Sequence, residues 1–262
     1  MESERSTVER TVKLIGYLAS KEGDIGIKEI ADELHLPQST AHRLVQQLIA
    51  LGMVQRVHGV RRYEFGPEMY RLGAMIANKV DVVQLAMAPL HRIVAYSNES
   101  CALALYRDDD AALVFASTVE SPQPLRYQLD LYKPVSVLWG ASGHSVLAHL
   151  PLERIKTLLK KEPRSPTGLA PLPVRELVRE LESIRKQGFA VSKRGEKIDG
   201  AAGVSAPIFG AMNRIVGCFS LFIPRMRYPE AREGELARLL VHEARELSNV
   251  LSGTRADNST RQ

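Results

Sequence analysis

Between residues 36 and 48 the apolar positions recur with a helical period. Ala41, Leu44, Val45 and Leu48 fall at i, i+3, i+4 and i+7, which makes one apolar stripe. The other side holds Ser39, His42, Arg43, Gln46 and Gln47, with Gln38 and Thr40 near its start and no acidic residue among them. Pro37 stands where a proline opens a helix without losing a needed N–H. The stretch before it, residues 27–34, has its own stripe of Ile27, Ile30, Ala31 and Leu34, and His35-Leu36 makes the turn between the two. Two short helices on a tight turn, the second with a polar outer face, predict a helix-turn-helix. Ahead of them residues 6–19 read as a helix with Val8, Val12, Ile15 and either Leu18 or Ala19 on its inner face. Residues 21–26 read as a break rich in turn formers.

Beyond Gly52, a left-handed cap, residues 53–57 and 61–65 are strand-like around a turn at 58–60. A hairpin directly after a helix-turn-helix is a wing, and its Arg61 and Arg62 are expected to reach phosphates or the minor groove. Gly66-Pro67 punctuates the chain. A further helix over 68–79, with Met69, Leu72, Met75 and Ile76 on one stripe, is read as the joint between domains. From residue 81 the pattern changes to helices flanking short strands. Helices are expected at 81–97, with Val82, Leu85, Leu90, Ile93 and Val94 inside, and at 143–150, 152–161, 174–187 and after Pro229. Strands are expected at 101–106, 112–116, 125–130, 189–193, 201–209 and 215–223. That order predicts an α+β fold. The expected domains are 1–66, a linker helix 67–80, 81–253 and a polar tail 254–262.

Composition sharpens this picture in one place. The chain of 262 residues carries a formal charge of +5, weak support by itself for a nucleic-acid partner. Its distribution says more. Residues 1–34 hold five basic and eight acidic side chains, whereas residues 35–66 hold Arg43, Arg56, Arg61 and Arg62 against Glu64 alone. Positive charge therefore gathers on the recognition helix and the wing. Cys101 and Cys218 make no disulfide framework, and no stretch approaches the roughly 20 apolar residues of a membrane span. A cytoplasmic protein without membrane attachment is expected.

Enzymatic chemistry finds little support. Gly140-Ala141-Ser142-Gly143-His144 lacks the second flanking glycine of a nucleophile elbow, because His144 stands in its place. His242-Glu243 lacks the second histidine of a zinc helix, no Cys or His pair has ligand spacing, and there is no Gly-Lys-Ser/Thr phosphate loop. Neither a metal nor a cofactor is expected. The small residues at 140–143 would leave backbone N–H groups open before a helix start, a setting for a small anion or polar ligand. Asp108, Asp109 and Asp110 read as a solvated turn. Trp139 reads as either a core residue or a pocket wall, and Glu196 as either an organiser of the pocket loop or a surface carboxylate. A C-terminal domain acting as a hydrolase through Ser142, or as a protein-interaction module, remains the alternative.

Several runs resemble the isocitrate-lyase-regulator (IclR) family of bacterial transcription factors. They are Ile27-Lys28-Glu29-Ile30-Ala31, Leu36-Pro37-Gln38-Ser39-Thr40-Ala41-His42-Arg43-Leu44, Leu51-Gly52-Met53-Val54, Arg62-Tyr63-Glu64-Phe65-Gly66-Pro67 and Arg71-Leu72-Gly73. The family usually has Gly where His35 stands and often a basic residue at Gln38. In the C-terminal half the resemblance lies in residues 139–148, 194–200, 206–208 and 217–224. It implies a GAF-like effector-binding domain and homodimers through the N-terminal parts, and often homotetramers. Double-stranded operator DNA would be the partner, read by Gln38, Ser39, Thr40, His42, Arg43, Gln46, Gln47, Arg61 and Arg62. A small effector, an organic or aromatic acid, would lie against Trp139, Gly140, Ala141, Ser142, Glu196, Gly203, Ser220 and Phe222. Where the family often has acids before Glu196, this chain has Arg194 and Gly195, which implies a more positive pocket mouth. The expectation is a ligand-responsive regulator on a palindromic operator, and a repressor rather than an activator.

Overall fold

The computed structural model describes residues 7–21, 23–77, 81–162 and 164–253; the tail expected at 254–262 lies outside them. The chain divides into two units, Met1–Val80 and Asp81–Gln262.

The first unit opens with α1 (Thr7–Ser20), followed by β1 (Ile25–Gly26), α2 (Ile27–Leu34) and α3 (Gln38–Ala50). The hairpin β2 (Val54–Arg56) and β3 (Arg62–Phe65) comes next, then α4 (Pro67–Ala77). The core is formed by Leu14, Leu18, Ile30, Leu34, Ala41, Leu44, Val45 and Leu48, with Ile25, Val54 and Tyr63 of the strands beneath them. On α1 the inner stripe is Leu14 and Leu18. Val8 and Val12, expected inside, are 72% and 58% exposed. The helix carries two overlapping apolar stripes, and α2 and α3 cover only one. The turn into α3 is made with His35 in the left-handed region (φ 52, ψ 50), and Leu36 N–H reaches back 2.9 Å to Ala31 O. A β-carbon makes that conformation costly, which is why glycine is common there.

Strand β1 is missing from the sequence reading. It pairs Ile25 with Tyr63 and Gly26 with Arg62, so the wing is a three-stranded sheet of order β1-β3-β2. Two residues are too few to show a period. On α4, Met69 and Leu72 are half-buried while Tyr70 and Met75 are exposed. The expected end of this helix at 78–79 lies outside the described residues.

The second unit begins with α5 (Val82–Ser97), whose Asp81 carboxylate accepts from Val83 N and Gln84 N as an N-cap. Next come β4 (Ser100–Arg107), β5 (Ala112–Val119), β6 (Pro134–Ser136), α6 (Gly140–Leu147), α7 (Leu152–Lys161) and α8 (Val174–Gln187). The unit closes with β7 (Ala190–Ser192), β8 (Ala201–Phe209), β9 (Ile215–Pro224) and α9 (Glu233–Ser252). The strands form one antiparallel sheet of order β6-β5-β4-β9-β8-β7. Successive side chains leave opposite faces of a strand, and both faces are covered. Cys101, Leu103, Phe219, Leu221, Val204 and Ala206 pack against Leu90, Ile93, Leu236 and Leu240 of α5 and α9. Ala102, Ala104, Cys218 and Phe222 face Val146, Leu147, Ile155 and Leu181 of α6, α7 and α8. The second unit is a three-layer α+β domain of GAF-like type, and the first is a winged helix-turn-helix.

Three expectations about this unit fail. Residues 125–130 form no strand. Their alternation instead sets Tyr127 and Leu129 on the second core without a backbone ladder, and β6 takes the edge beside β5. Leu85, expected inside, is exposed, and Ala86 and Pro89 are buried instead. Helix α6 starts three residues earlier than expected. It also comes very close to the loop before it: a Cβ on Gly143 would lie 2.4 Å from Val137 O. Gly143→Ala is therefore expected to lift α6 and to cost roughly 1–3 kcal/mol. The check is a lower urea midpoint at unchanged slope.

Candidate functional site

Two surfaces concentrate the chemistry, one in each unit. In the first, α3 is anchored by its inner stripe, where Ala41, Leu44, Val45 and Leu48 are all buried. Its outer face presents Gln38, Ser39, His42, Arg43 and Gln47 to solvent, with Thr40 and Gln46 half-exposed. Gln46 Nε2 lies 3.5 Å from His42 Nε2, so these two form one polar edge. Among the described residues, the Arg43 and Arg61 guanidinium groups have no hydrogen bond or ion pair. They are free for a ligand, and no acid stands in the first turn of α3. The wing adds Arg56, held 5.8 Å from the Tyr63 ring.

Arg62 requires a correction. Its guanidinium bonds the Asp24 carboxylate, donates to Asp24 O at 2.8 Å and to Glu29 Oε1 at 2.9 Å. Glu29 also accepts from Gly26 N at the start of α2. Arg62 therefore ties β3 to the turn before β1 and to α2, and its charge is already neutralised there. The sequence hid this role because Asp24 lies in the break that was read only as a turn.

The second surface is a recess where the N-terminus of α6, the loop 195–198, the start of β8 and the end of β9 meet. Gly140, Ala141, Ser142, Glu196, Gly203, Ser220 and Phe222 all line it. Trp139 does not. It is 2% exposed in the core, and its indole N–H donates to Glu162 Oε2 at 3.1 Å. Gly140, at φ +69, turns the chain into α6. His144 anchors that turn, its Nε2 donating to Leu138 O at 2.9 Å while its Nδ1 lies 2.8 Å from Glu180 Oε1 on α8. The His144 hydrogen bond holds the Glu180 carboxyl below its ordinary range.

Glu196 is an organiser. Its buried carboxylate accepts from Gly140 N at 3.0 Å and from Ser192 Oγ at 2.9 Å, with Arg194 at 3.3 Å. It thus occupies the first N–H of α6, one of those that the small residues were expected to leave open for an anion. Ser220 Oγ lies 2.6 Å from Ser205 Oγ across the β8–β9 pair, and the Phe222 ring stands edge-on to Phe115 at 5.4 Å.

Sequence reasoning missed Lys197. Its ammonium donates to Ser142 Oγ at 3.0 Å and lies 5.9 Å from the Phe115 ring centroid. Burial pushes the Lys197 ammonium down to about 8. Lys197 stands within the quoted run 194–200, but no period or spacing marks it, because a loop fold, not a repeating element, turns it inward. Among the described residues no histidine or carboxylate bonds the Ser142 hydroxyl, so a Ser-His-Asp arrangement is not formed at Ser142.

A polar, cation-bearing helix face on a buried helix-turn-helix, joined to a sensor-type domain with a small recess, defines a DNA-binding transcriptional regulator. Residues 7–58 match the IclR helix-turn-helix domain and residues 74–249 the bacterial transcriptional regulator IclR C-terminal domain. The chain belongs to the IclR family. It is 26% identical to the HTH-type transcriptional repressor AllR of Escherichia coli strain K12, over 93% of this chain and 89% of that protein. It is 23% identical to the HTH-type transcriptional regulator KdgR of Dickeya chrysanthemi, over 96% of this chain and 82% of that one. The crystal structure of Pseudomonas aeruginosa HmgR shares the fold, with a TM-score of 0.77 at 23% identity over 97% of this chain and 99% of that one. The named relatives are transcriptional regulators, not enzymes. Among the described residues no helix is long and apolar enough to cross a membrane.

Proposed function

We propose that this chain is a cytoplasmic, ligand-responsive repressor that binds a roughly palindromic operator as a dimer or a pair of dimers. Helix α3 of each copy enters a major groove, where Arg43 pairs with guanine and Gln46 or Gln47 with adenine. Gln38, Ser39 and Thr40 meet phosphate at the helix start, and Arg61 of the wing holds the backbone. The observation that carries this reading is the two-sidedness of α3: one stripe sealed in the core, the other exposed with an arginine that has no partner among the described residues. The exposed Val8 and Val12 stripe of α1 supports pairing through the N-terminal unit. Repression is supported by the name given to the AllR relative.

The sensor half of the proposal places a small carboxylate-bearing or aromatic metabolite in the recess of Gly140, Ala141, Ser142, Gly203, Ser220 and Phe222. Its tighter binding to one of two arrangements shifts operator affinity, with α4 (Pro67–Ala77) in the transmitting segment. Gel shifts of the full chain on DNA flanking its own gene are expected to show a salt-sensitive complex that resists unrelated competitor DNA. Equal competition by any sequence would end the reading.

A further inference from the structure

The recess holds a cation without a counter-ion. Among the described residues Lys197 is the only lysine or arginine lining it, and its ammonium bonds a neutral hydroxyl, Ser142 Oγ, at 3.0 Å. The nearby carboxylates are engaged elsewhere: Glu196 with Gly140 N, Ser192 and Arg194, and Glu162 with the Trp139 indole. Among the described residues no carboxylate stands within ion-pair distance of Lys197. The methylene stem lies against Gly140, where a Cβ would meet Lys197 Cγ and Cδ at 3.6 Å. The remaining cavity is small, about 40 Å³. The ammonium also faces the N-terminal end of α6, whose dipole has the same sign. A charge drawn largely out of water is ordinarily paired; Lys197 is half-buried, and its pairing is left to what enters.

We infer that Lys197 is the specificity-determining residue of the recess: its ammonium leaves the Ser142 hydroxyl to pair with the acidic group of a small monocarboxylate. This rests on the reading of the recess as the effector site of a carboxylate-bearing metabolite and adds the residue that selects the acid. The stem over Gly140 is a flexible side chain, so its displacement enlarges the cavity without moving backbone. Because Glu196 already holds the first N–H of α6, the lysine is the unsatisfied partner that an acid finds. A neutral isostere of the same shape meets an ammonium it does not neutralise.

The test uses the full chain and three matched pairs of probes, acetate with acetamide, propionate with propionamide, and lactate with lactamide. Binding is read by melting-temperature shift and titration calorimetry at pH 7. At least one acid is expected to bind, and its amide at least tenfold more weakly. Lys197→Met should lower acid affinity at least tenfold and abolish the preference for acid over amide, and Lys197→Arg should retain that preference. Equal binding of acid and amide, undiminished acid binding by Lys197→Met, or no binding of any acid would each overturn the inference. Those outcomes are separable from failure of the regulator reading, which is decided by sequence preference in gel shifts without any effector.

Discussion

Arg43→Ala is expected to lower affinity for the protein's own operator by roughly 5- to 150-fold, the loss of about 1–3 kcal/mol that follows removal of a two-pronged contact to guanine. The loss should be selective. Binding to unrelated DNA should change little, and a library of operator variants should show relaxed preference at one base pair in each half-site. Arg61→Ala should behave differently. Arg61 stands on the wing with no partner among the described residues, and its removal is expected to weaken all sequences alike and to reduce the slope of log affinity against log salt by about one unit per site. Arg62→Ala provides the internal contrast. Its guanidinium is committed to Asp24 and Glu29, so its removal should lower the melting temperature of the N-terminal unit first, with DNA affinity following only as that unit loosens. If Arg43→Ala and Arg61→Ala instead gave the same uniform loss, α3 would not be reading bases.

These three arginines also show what a sequence can reveal. Arg43 was legible because a helical period states which side of a helix is inside, and whatever remains is outside. Arg61 and Arg62 are adjacent and chemically identical in the sequence, yet strand pairing with β1 gives Arg62 to Asp24 and leaves Arg61 in solvent. The difference lies in a two-residue strand that no periodicity could announce. The same logic runs through the larger unit. The spans of α7, α8 and β8 follow the expected ones because proline starts, a glycine cap and unbroken apolar patterning mark them locally. Residues 125–130 alternate as a strand would, but a strand also needs a free edge to bond, and β6 occupies that beside β5.

At the recess the division is similar. The small residues 140–143 and the strand positions Gly203, Ser220 and Phe222 come together because α6 crosses the β8–β9 pair, and their smallness is visible in the sequence. Trp139 left two readings open, and burial with an indole bond to Glu162 decides for the core. Lys197 was invisible because a loop lysine is ordinarily a solvated one. Only the fold shows that the loop 195–198 turns it beneath the α6 terminus.

Lys197→Met should raise the stability of the protein at neutral pH. Lys197 is protonated below about 8 in the fold and below an ordinary 10.5 in the unfolded chain. Below about 8 both states carry the proton, and the folded state bears the full cost of an ammonium set in a low-dielectric recess. Between about 8 and 10.5 the unfolded chain binds the proton and the folded one does not, so stability rises with pH through that window. The size is roughly 1–3 kcal/mol, discounted because the side chain keeps some contact with water, which corresponds to a few degrees in melting temperature for a unit of this size. Glu162, Glu196 and Cys218 face the same ammonium and remain in both proteins, so the wild-type-minus-variant difference isolates the lysine. That difference should be largest at pH 6–7.5 and shrink steadily from pH 8 to 10. Saturation with a carboxylate that pairs with Lys197 should abolish the wild type's deficit at pH 7 and leave Lys197→Met unmoved. A variant less stable than wild type by the same amount at every pH would mean that Lys197 is held as packing, with no cost for its charge, and the demand for a counter-ion would go with it.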